Sequence, residues 1–202
     1  MSRGSMLVIA AATLFSSAVA QAVTFEIDPV HTTVQFSVRH MMVSNVRGTF
    51  DKVSGTVNLD AADPTKSTVE ATIDVNSINT REPKRDTHLK SPDFFDAAKY
   101  PTITFKSKSV TKVGDGKYQA TGDLTIHGVT KEAVLDIEGS PKPITDPMGN
   151  LKVGGTVHTK INRKDFGMTW SKSLDGGGVM VGDDVDITID VELAQKKSAP
   201  AA

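Results

Sequence analysis

The chain has 202 residues, 38% of them hydrophobic and 23% charged, with a formal net charge of -1 and no cysteine. That length suits one domain with tails, and the near-neutral charge gives no bulk electrostatic reason to bind nucleic acid. Without cysteine there is no disulfide, no thiolate chemistry, no thioether haem attachment and no lipid carried on sulfur.

Residues 1–22 read as lying outside the fold. Arg3 makes a weakly basic start, an apolar run follows from Met6 to Phe15, and "SSAVAQA" offers small residues for cleavage after Ala20 or Ala22. This is the three-part pattern of a secretory signal peptide, and the apolar run is too short to span a bilayer. The expected location is therefore the periplasm. Export without disulfides leaves a single domain, residues 23–193, to be held by its own core. The tail 194–202, "AQKKSAPAA" at its C-terminal end, is small and polar and is expected to be disordered.

From Val23 the chain alternates with period two. Val34, Phe36, Val38 and His40 share one face of "TTVQFSVRH"; Val53, Gly55, Val57 and Leu59 share one in "KVSGTVNL". Val69, Ala71, Ile73 and Val75 align next, and Val185, Ile187, Ile189, Val191 and Leu193 align near the end. Such alternation marks strands with one buried and one wet face. Further strands are expected near 101–109, 117–126, 129–138 and 151–162, with "GDGK" and "HGVT" as hairpin links. About eight antiparallel strands joined by turns imply an all-β sandwich or closed barrel, closure being favoured because it removes exposed edges. The apolar face lacks the aromatic girdles of an outer-membrane barrel, so the charged face is read as facing water and the chain is not expected to be an integral membrane protein.

The inward face holds small residues: Gly55, Ala71, Ala120, Gly122, Gly155 and Thr159. An eight-stranded barrel can be filled by side chains or can hold one small ligand. Small residues either leave that volume or merely admit the opposite wall; the sequence supports both.

"INTREPKRDTHLKSPDFF" interrupts the strands. Thr80 as N-cap and Pro83 in the first turn predict a short helix, and Ser91 with Pro92 predicts a second helical turn ending before Pro101. Two such turns would lie across one barrel end with Phe94 and Phe95 as a plug, or form a solvated crossover.

Four blocks, "DPVHTTVQFSVRHMMVSNVRGTF", "INTREPKRDTHLKSPDFFDAAKYPTITF", "ATGDLTIHGVTK" and "INRKDFG", occur in order and spacing that resemble the YceI-like family of exported polyisoprenoid-binding proteins. The resemblance runs from about Phe25 to Leu193. It implies an extended, lipocalin-like antiparallel β-barrel with a helical insertion and a long apolar channel. It also implies an isoprenoid or other long-chain amphiphilic lipid as ligand, and a homodimer is compatible with it.

The candidate ligand-binding residues are Phe36, Val38, His40, Ile73, Phe105 and Leu124 on strands, and Arg85, His88, Phe94 and Phe95 in the insertion. Phe166 and Trp170, the single tryptophan, join them from the turn near "INRKDFG". Arg163 in that turn is placed to anchor carbonyls, His40 to serve as a core or channel-mouth histidine, and His127 to be exposed in a turn. Arg85 is either half of a structural pair with Asp86 or a ligand for a polar head. The head is the lesser term: each buried methylene contributes about 0.8 kcal/mol, against about 0–1 kcal/mol for a solvated ion pair.

No nucleophile elbow, P-loop, zinc-protease motif or dinucleotide fingerprint is present, and the histidines lack zinc spacing. No catalytic residue, metal or cofactor is therefore expected, and the reading is a carrier, not an enzyme. Two alternatives share these features. One is an enzyme acting on such a lipid or its head group, with His40, Arg85, Asp86 and His88 near the mouth. The other is a scaffold or stress-response factor whose cavity is incidental.

Overall fold

The computed structural model describes residues 22–196. Of the expected signal peptide only Ala22 falls among them, and residues 197–202 lie outside.

The strands are β1 (Val23–Ile27), β2 (Thr33–His40), β3 (Ser44–Phe50), β4 (Val53–Leu59), β5 (Thr68–Asp74), β6 (Ile78–Asn79), β7 (Thr102–Gly114), β8 (Lys117–Ile126), β9 (Val129–Gly139), β10 (Ile144–Thr145), β11 (Leu151–Asn162) and β12 (Val181–Gln195). One helix, α1 (Pro83–Lys90), stands between β6 and β7. Eight antiparallel strands close into a ring in the order β11, β9, β8, β7, β5, β4, β1, β12, with β12 returning to β11. That closing ladder is long, from Lys152 against Ala194 to Asn162 against Asp184. The other edge of β12 is shared: β1 pairs with Leu193–Gln195, and β2 with residues from Val181 to Asp190. β1 and β2 are thus two parts of one bent stave, and β3 and β4 likewise continue one another. Alternation revealed most of these staves but not β3, where the inward positions are Val46, Gly48 and Phe50 and the glycine interrupts the apolar signal. Nor did it reveal that β12 runs on to Gln195, two residues into the expected tail.

Charges sit on the outside. Lys106 pairs with Glu70 on the neighbouring strand, Lys117 with Glu138, and Lys160 with Asp186. The apolar parity of every stave points inward, the reverse of a barrel that meets lipid with its outer wall. No helix of the described residues is long and apolar enough to cross a membrane.

The insertion differs from expectation at both helix starts. The N-cap of α1 is Glu82, whose carboxylate accepts from Lys84 N, because Thr80 is held elsewhere. Ser91 is the C-cap of α1, not the N-cap of a second helix; its amide and hydroxyl both donate to His88 O. Residues 91–100 then form successive turns, with Asp96 in the left-handed region at φ 45°.

The core is divided. A large cluster includes Phe50, Val75, Ile103, Phe105, Leu124 and Phe166; a small one joins Phe25, Leu59 and Leu193 near the opposite end. Many inward residues between them, among them Ala71, Ile187, Ile189 and Val191, retain accessible surface. Their side chains point into the barrel, so the surface they expose is that of an internal hollow.

Candidate ligand-binding cavity

The hollow measures about 320 Å³ and runs along the barrel. On β12 its wall extends from Val181 to Leu193; twelve residue steps of extended chain cover roughly 40 Å, or about 30 Å along the axis of a barrel with tilted strands. At one end lie Leu89, Phe94, Phe95 and Met168; at the other lie Pro64, Ser67, Ser140 and Pro141. The polar side chains along the wall are largely committed to backbone. Thr159 Oγ1 donates to Val134 O at 2.9 Å, Thr32 Oγ1 to Glu192 O at 3.3 Å, and Ser67 Oγ accepts from Asp60 N at 3.1 Å.

Small inward residues play two roles. At Gly55 an added Cβ would lie 2.3 Å from Glu70 O, and at Gly122 it would lie 2.3 Å from Lys106 O and 2.7 Å from Phe105 Cζ. There, neighbouring backbone and the Phe105 ring occupy the place of a side chain. Ala71 and Thr159 line the hollow and keep surface facing it, so they contribute volume.

Of the residues singled out from sequence, Phe36, Val38, Ile73, Phe94, Phe95, Phe105 and Leu124 line the hollow. His40, Arg85, His88, Phe166 and Trp170 do not. His40 follows the inward parity, but the hollow's wall on β2 stops at Val38, one inward position short of it. Arg85 is turned onto Thr80: its Nε donates to Thr80 Oγ1 and an Nη to Thr80 O, both at 2.8 Å. Asp86 takes the other side, accepting from Thr80 N at 2.9 Å and Thr80 Oγ1 at 2.5 Å. The two charges thus clamp one buried threonine at the entrance to α1, the structural alternative for this pair.

His88 and Trp170 stand behind the plug. The Trp170 ring lies 5.2 Å from Phe94 and 4.9 Å from His88, and His88 Nε2 is 2.8 Å from Asp93 Oδ2. Phe95 continues the aromatic floor, 5.8 Å from Phe50, which is 5.6 Å from Phe36. Such offset and edge contacts are favourable and orient the rings. Phe166 is buried in a 3-10 turn of residues Arg163–Phe166, where its carbonyl lies 3.1 Å from His127 Nδ1. His127 is therefore not a free turn residue; it is wedged between that carbonyl and the Tyr100 ring, 4.9 Å away.

Arg163 reaches the wall of the hollow, which its position in a turn motif concealed. Only 3% exposed, it donates to the carbonyls of Gly182, Met168 and Val181 and to Asp183. Burial pushes its pKa down from the usual value, opposed by the charge of Asp183. It ties the 3-10 turn to the start of β12 and so fixes the floor.

A second polar cluster lies on the barrel's flank. Asp28, His31 and Glu192 bring ligand atoms within 4.8 Å of one another. Lys152 Nζ already occupies the cluster, 2.9 Å from Asp28 and 2.8 Å from Glu192. Hydrogen bonds from Lys152 and then His31 hold the Asp28 carboxyl well below the usual carboxylate range, and those to Glu192 and Asp28 raise Lys152.

Comparison with known proteins agrees with this geometry. The family model described as a YceI-like domain matches residues 25–193. A UPF0312 protein of Staphylococcus aureus is 39% identical over 173 residues, covering 84% of this chain and 96% of that one. A YceI protein of Campylobacter jejuni is 36% identical with a TM-score of 0.68, over 79% of this chain and 90% of that structure. BcnA of Burkholderia cenocepacia superposes with a TM-score of 0.69 at 25% identity, over 82% and 98%. A domain of Saccharophagus degradans described as polyisoprenoid binding shares the fold at 14% identity, TM-score 0.61, over 86% and 99%.

Proposed function

The chain belongs to the YceI-like domain family, and from that premise we propose that it sequesters or carries an isoprenoid or similar long-chain amphiphile in its barrel. One observation carries the reading: inward Val and Ile side chains on β5, β11 and β12 keep accessible surface around the hollow. Such a wall gains by covering itself with hydrocarbon, at about 25 cal/mol per Å² removed from water. The name of the Saccharophagus degradans neighbour supports isoprenoid as the class.

The same reading makes the protein a carrier without covalent chemistry. His40, Arg85 and His88 are not gathered on the hollow, and Arg85 is spent on Thr80. Residues 1–22 support export to the periplasm.

Organic extraction of protein purified from its native compartment, followed by mass spectrometry, identifies the cargo. A long-chain polyprenol titrated into the delipidated protein is expected to change Trp170 fluorescence, since that ring backs Phe94. The lipid recovered after long incubation is expected to be unchanged. Neither retained lipid nor polyprenol uptake in repeated preparations would overturn the reading; altered lipid would turn it toward an enzyme.

A further inference from the structure

The β2–β3 turn breaks two ordinary rules together. Val43 N donates to His40 O at 3.1 Å, closing a turn whose central residues are Met41 at φ 49° and Met42 at φ 62°. A turn with both central φ positive belongs to Asn-Gly or Asp-Gly; methionine there is strained. The same residues are exposed: Met41 is 42%, Met42 53% and Val43 76% accessible. Three consecutive apolar side chains are thus held in water on a backbone that does not suit them. Strain kept at an exposed site points to a use for that site.

Charge identifies the use. The stretch from Thr33 to Phe50 contains Arg39 and Arg47 and no acid. Neither arginine has a carboxylate within ion-pair distance among the described residues, and the same holds for Arg81, Lys84 and Lys172 on the adjoining segments. These segments meet: Met41 N donates to Met180 O at 2.8 Å, linking the turn to the loop that holds Lys172. An added Cβ on Gly48 of β3 would touch Thr80, which leads into α1. The carboxylates of the adjoining segments are Glu82, Asp86, Asp93, Asp96 and Asp175; the first three already accept from Lys84 N, Thr80 and His88. On the staves and at the far end Lys66, Lys106, Lys117 and Lys196 are paired while Lys112, Lys131 and Lys142 have no carboxylate within ion-pair distance among the described residues, so it is the acid-free stretch from Thr33 to Phe50 that sets this end apart.

We propose that this end of the barrel docks on an anionic lipid bilayer, with Met41, Met42 and Val43 entering the interface and the unpaired cations meeting lipid phosphates. Interfacial anchoring combines buried apolar area with attraction to anionic lipid in this way. A second copy of the chain fits less well: a two-fold contact through the turn would set Arg39 and Arg47 against themselves. The proposal deepens the carrier reading and rests on it for its purpose. The docked end is where α1 and the turns after it, carrying Leu89, Phe94 and Phe95, bound the hollow.

The test is flotation with vesicles of phosphatidylcholine, with and without phosphatidylglycerol. The protein is expected to float with the anionic vesicles, and less so in high salt. Met41→Asn/Met42→Gly gives the turn its preferred residues while removing the apolar tip. That variant is expected to melt a few degrees higher, keep its polyprenol uptake from detergent, and bind vesicles at least tenfold less. Arg39→Gln/Arg47→Gln is expected to lose the preference for phosphatidylglycerol. Vesicle binding unchanged in the methionine variant overturns the proposal. So does light scattering that shows a dimer lost in this variant while vesicle binding persists, for the turn is then a subunit contact. Protein that floats but never takes up polyprenol supports docking and refutes only the carrier reading; uptake without flotation refutes only docking.

Discussion

Ala71→Leu separates a hollow barrel from a filled one by sign. Ala71 lies on the inward face of β5, lines the hollow and retains surface toward it. The substitution adds three carbons, each worth about 0.8 kcal/mol when buried. Fixing a leucine rotamer returns about 0.5–1 kcal/mol, leaving the delipidated protein about 1.5 kcal/mol more stable. For a domain of this size that is a rise of about 3–6 °C in melting temperature. Polyprenol uptake, followed by Trp170 fluorescence, is expected to weaken because the leucine occupies the ligand's place. In a filled interior the same change would overpack the core and cost about 1–3 kcal/mol. A lower melting temperature with unchanged uptake would refute the hollow at β5 and the argument built on it.

Gly122→Ala tests the opposite role of a small residue: a Cβ 2.3 Å from Lys106 O forces backbone apart, and a loss of about 1–3 kcal/mol is expected in denaturant titration. Thr80→Val removes the hydroxyl that links Arg85 and Asp86; a loss of about 1–3 kcal/mol is expected, with polyprenol uptake retained because the clamp lies off the hollow. For Asp28, whose carboxyl is held below its ordinary range by Lys152 and His31, the stabilisation is present above the unfolded value of about pH 4 and is lost as pH falls below it. Melting curves between neutral and acid pH are expected to show Asp28→Asn less stable than wild type at neutral pH, with the gap closing in acid.

Legibility followed the physics of each element. The staves were readable because period-two alternation is local: Val185, Ile187, Ile189, Val191 and Leu193 all line the hollow as their parity requires. Parity gives direction but not depth: His40 follows the inward parity of a core or channel-mouth histidine, yet the hollow's wall on β2 stops at Val38. The insertion failed for another reason. Ser-Pro does start a turn here, with Ser91 Oγ accepting from Asp93 N at 3.3 Å while its hydroxyl donates to His88 O, but Asp96 in the left-handed region ends that turn before a helix forms. Arg163 was readable as a carbonyl anchor from its turn, but its place on the hollow depends on the long-range approach of Val181 and Gly182. Alternation carries no information about that approach.

A barrel with an unfilled centre must obtain its rigidity from somewhere other than central packing. Here the backbone supplies most of it: ladders join each strand to the next around the ring, and β12 closes it against β11 from Lys152–Ala194 to Asn162–Asp184, while the β9–β11 ladder is short, from Gly155–Gly139 to His158–Asp136. Side chains pack densely only where the ladder leaves off. The Phe25 cluster fills one end, and the Phe36, Phe50, Phe95 and Phe94, Trp170 contacts fill the other. The wall at α1 lacks a ladder to its neighbour and rests on side chains: those ring contacts, Leu89 and Ala97 against the core, and the Arg85–Thr80–Asp86 clamp. Side-chain contacts are individually weak and yield one at a time, whereas opening a β-ladder exposes paired backbone groups together. A long hydrocarbon therefore has a less costly route beside Phe94 and Phe95, which line the hollow, than through the opening between β9 and β11, whose lining includes Lys131, Glu132, Asp136 and Lys160.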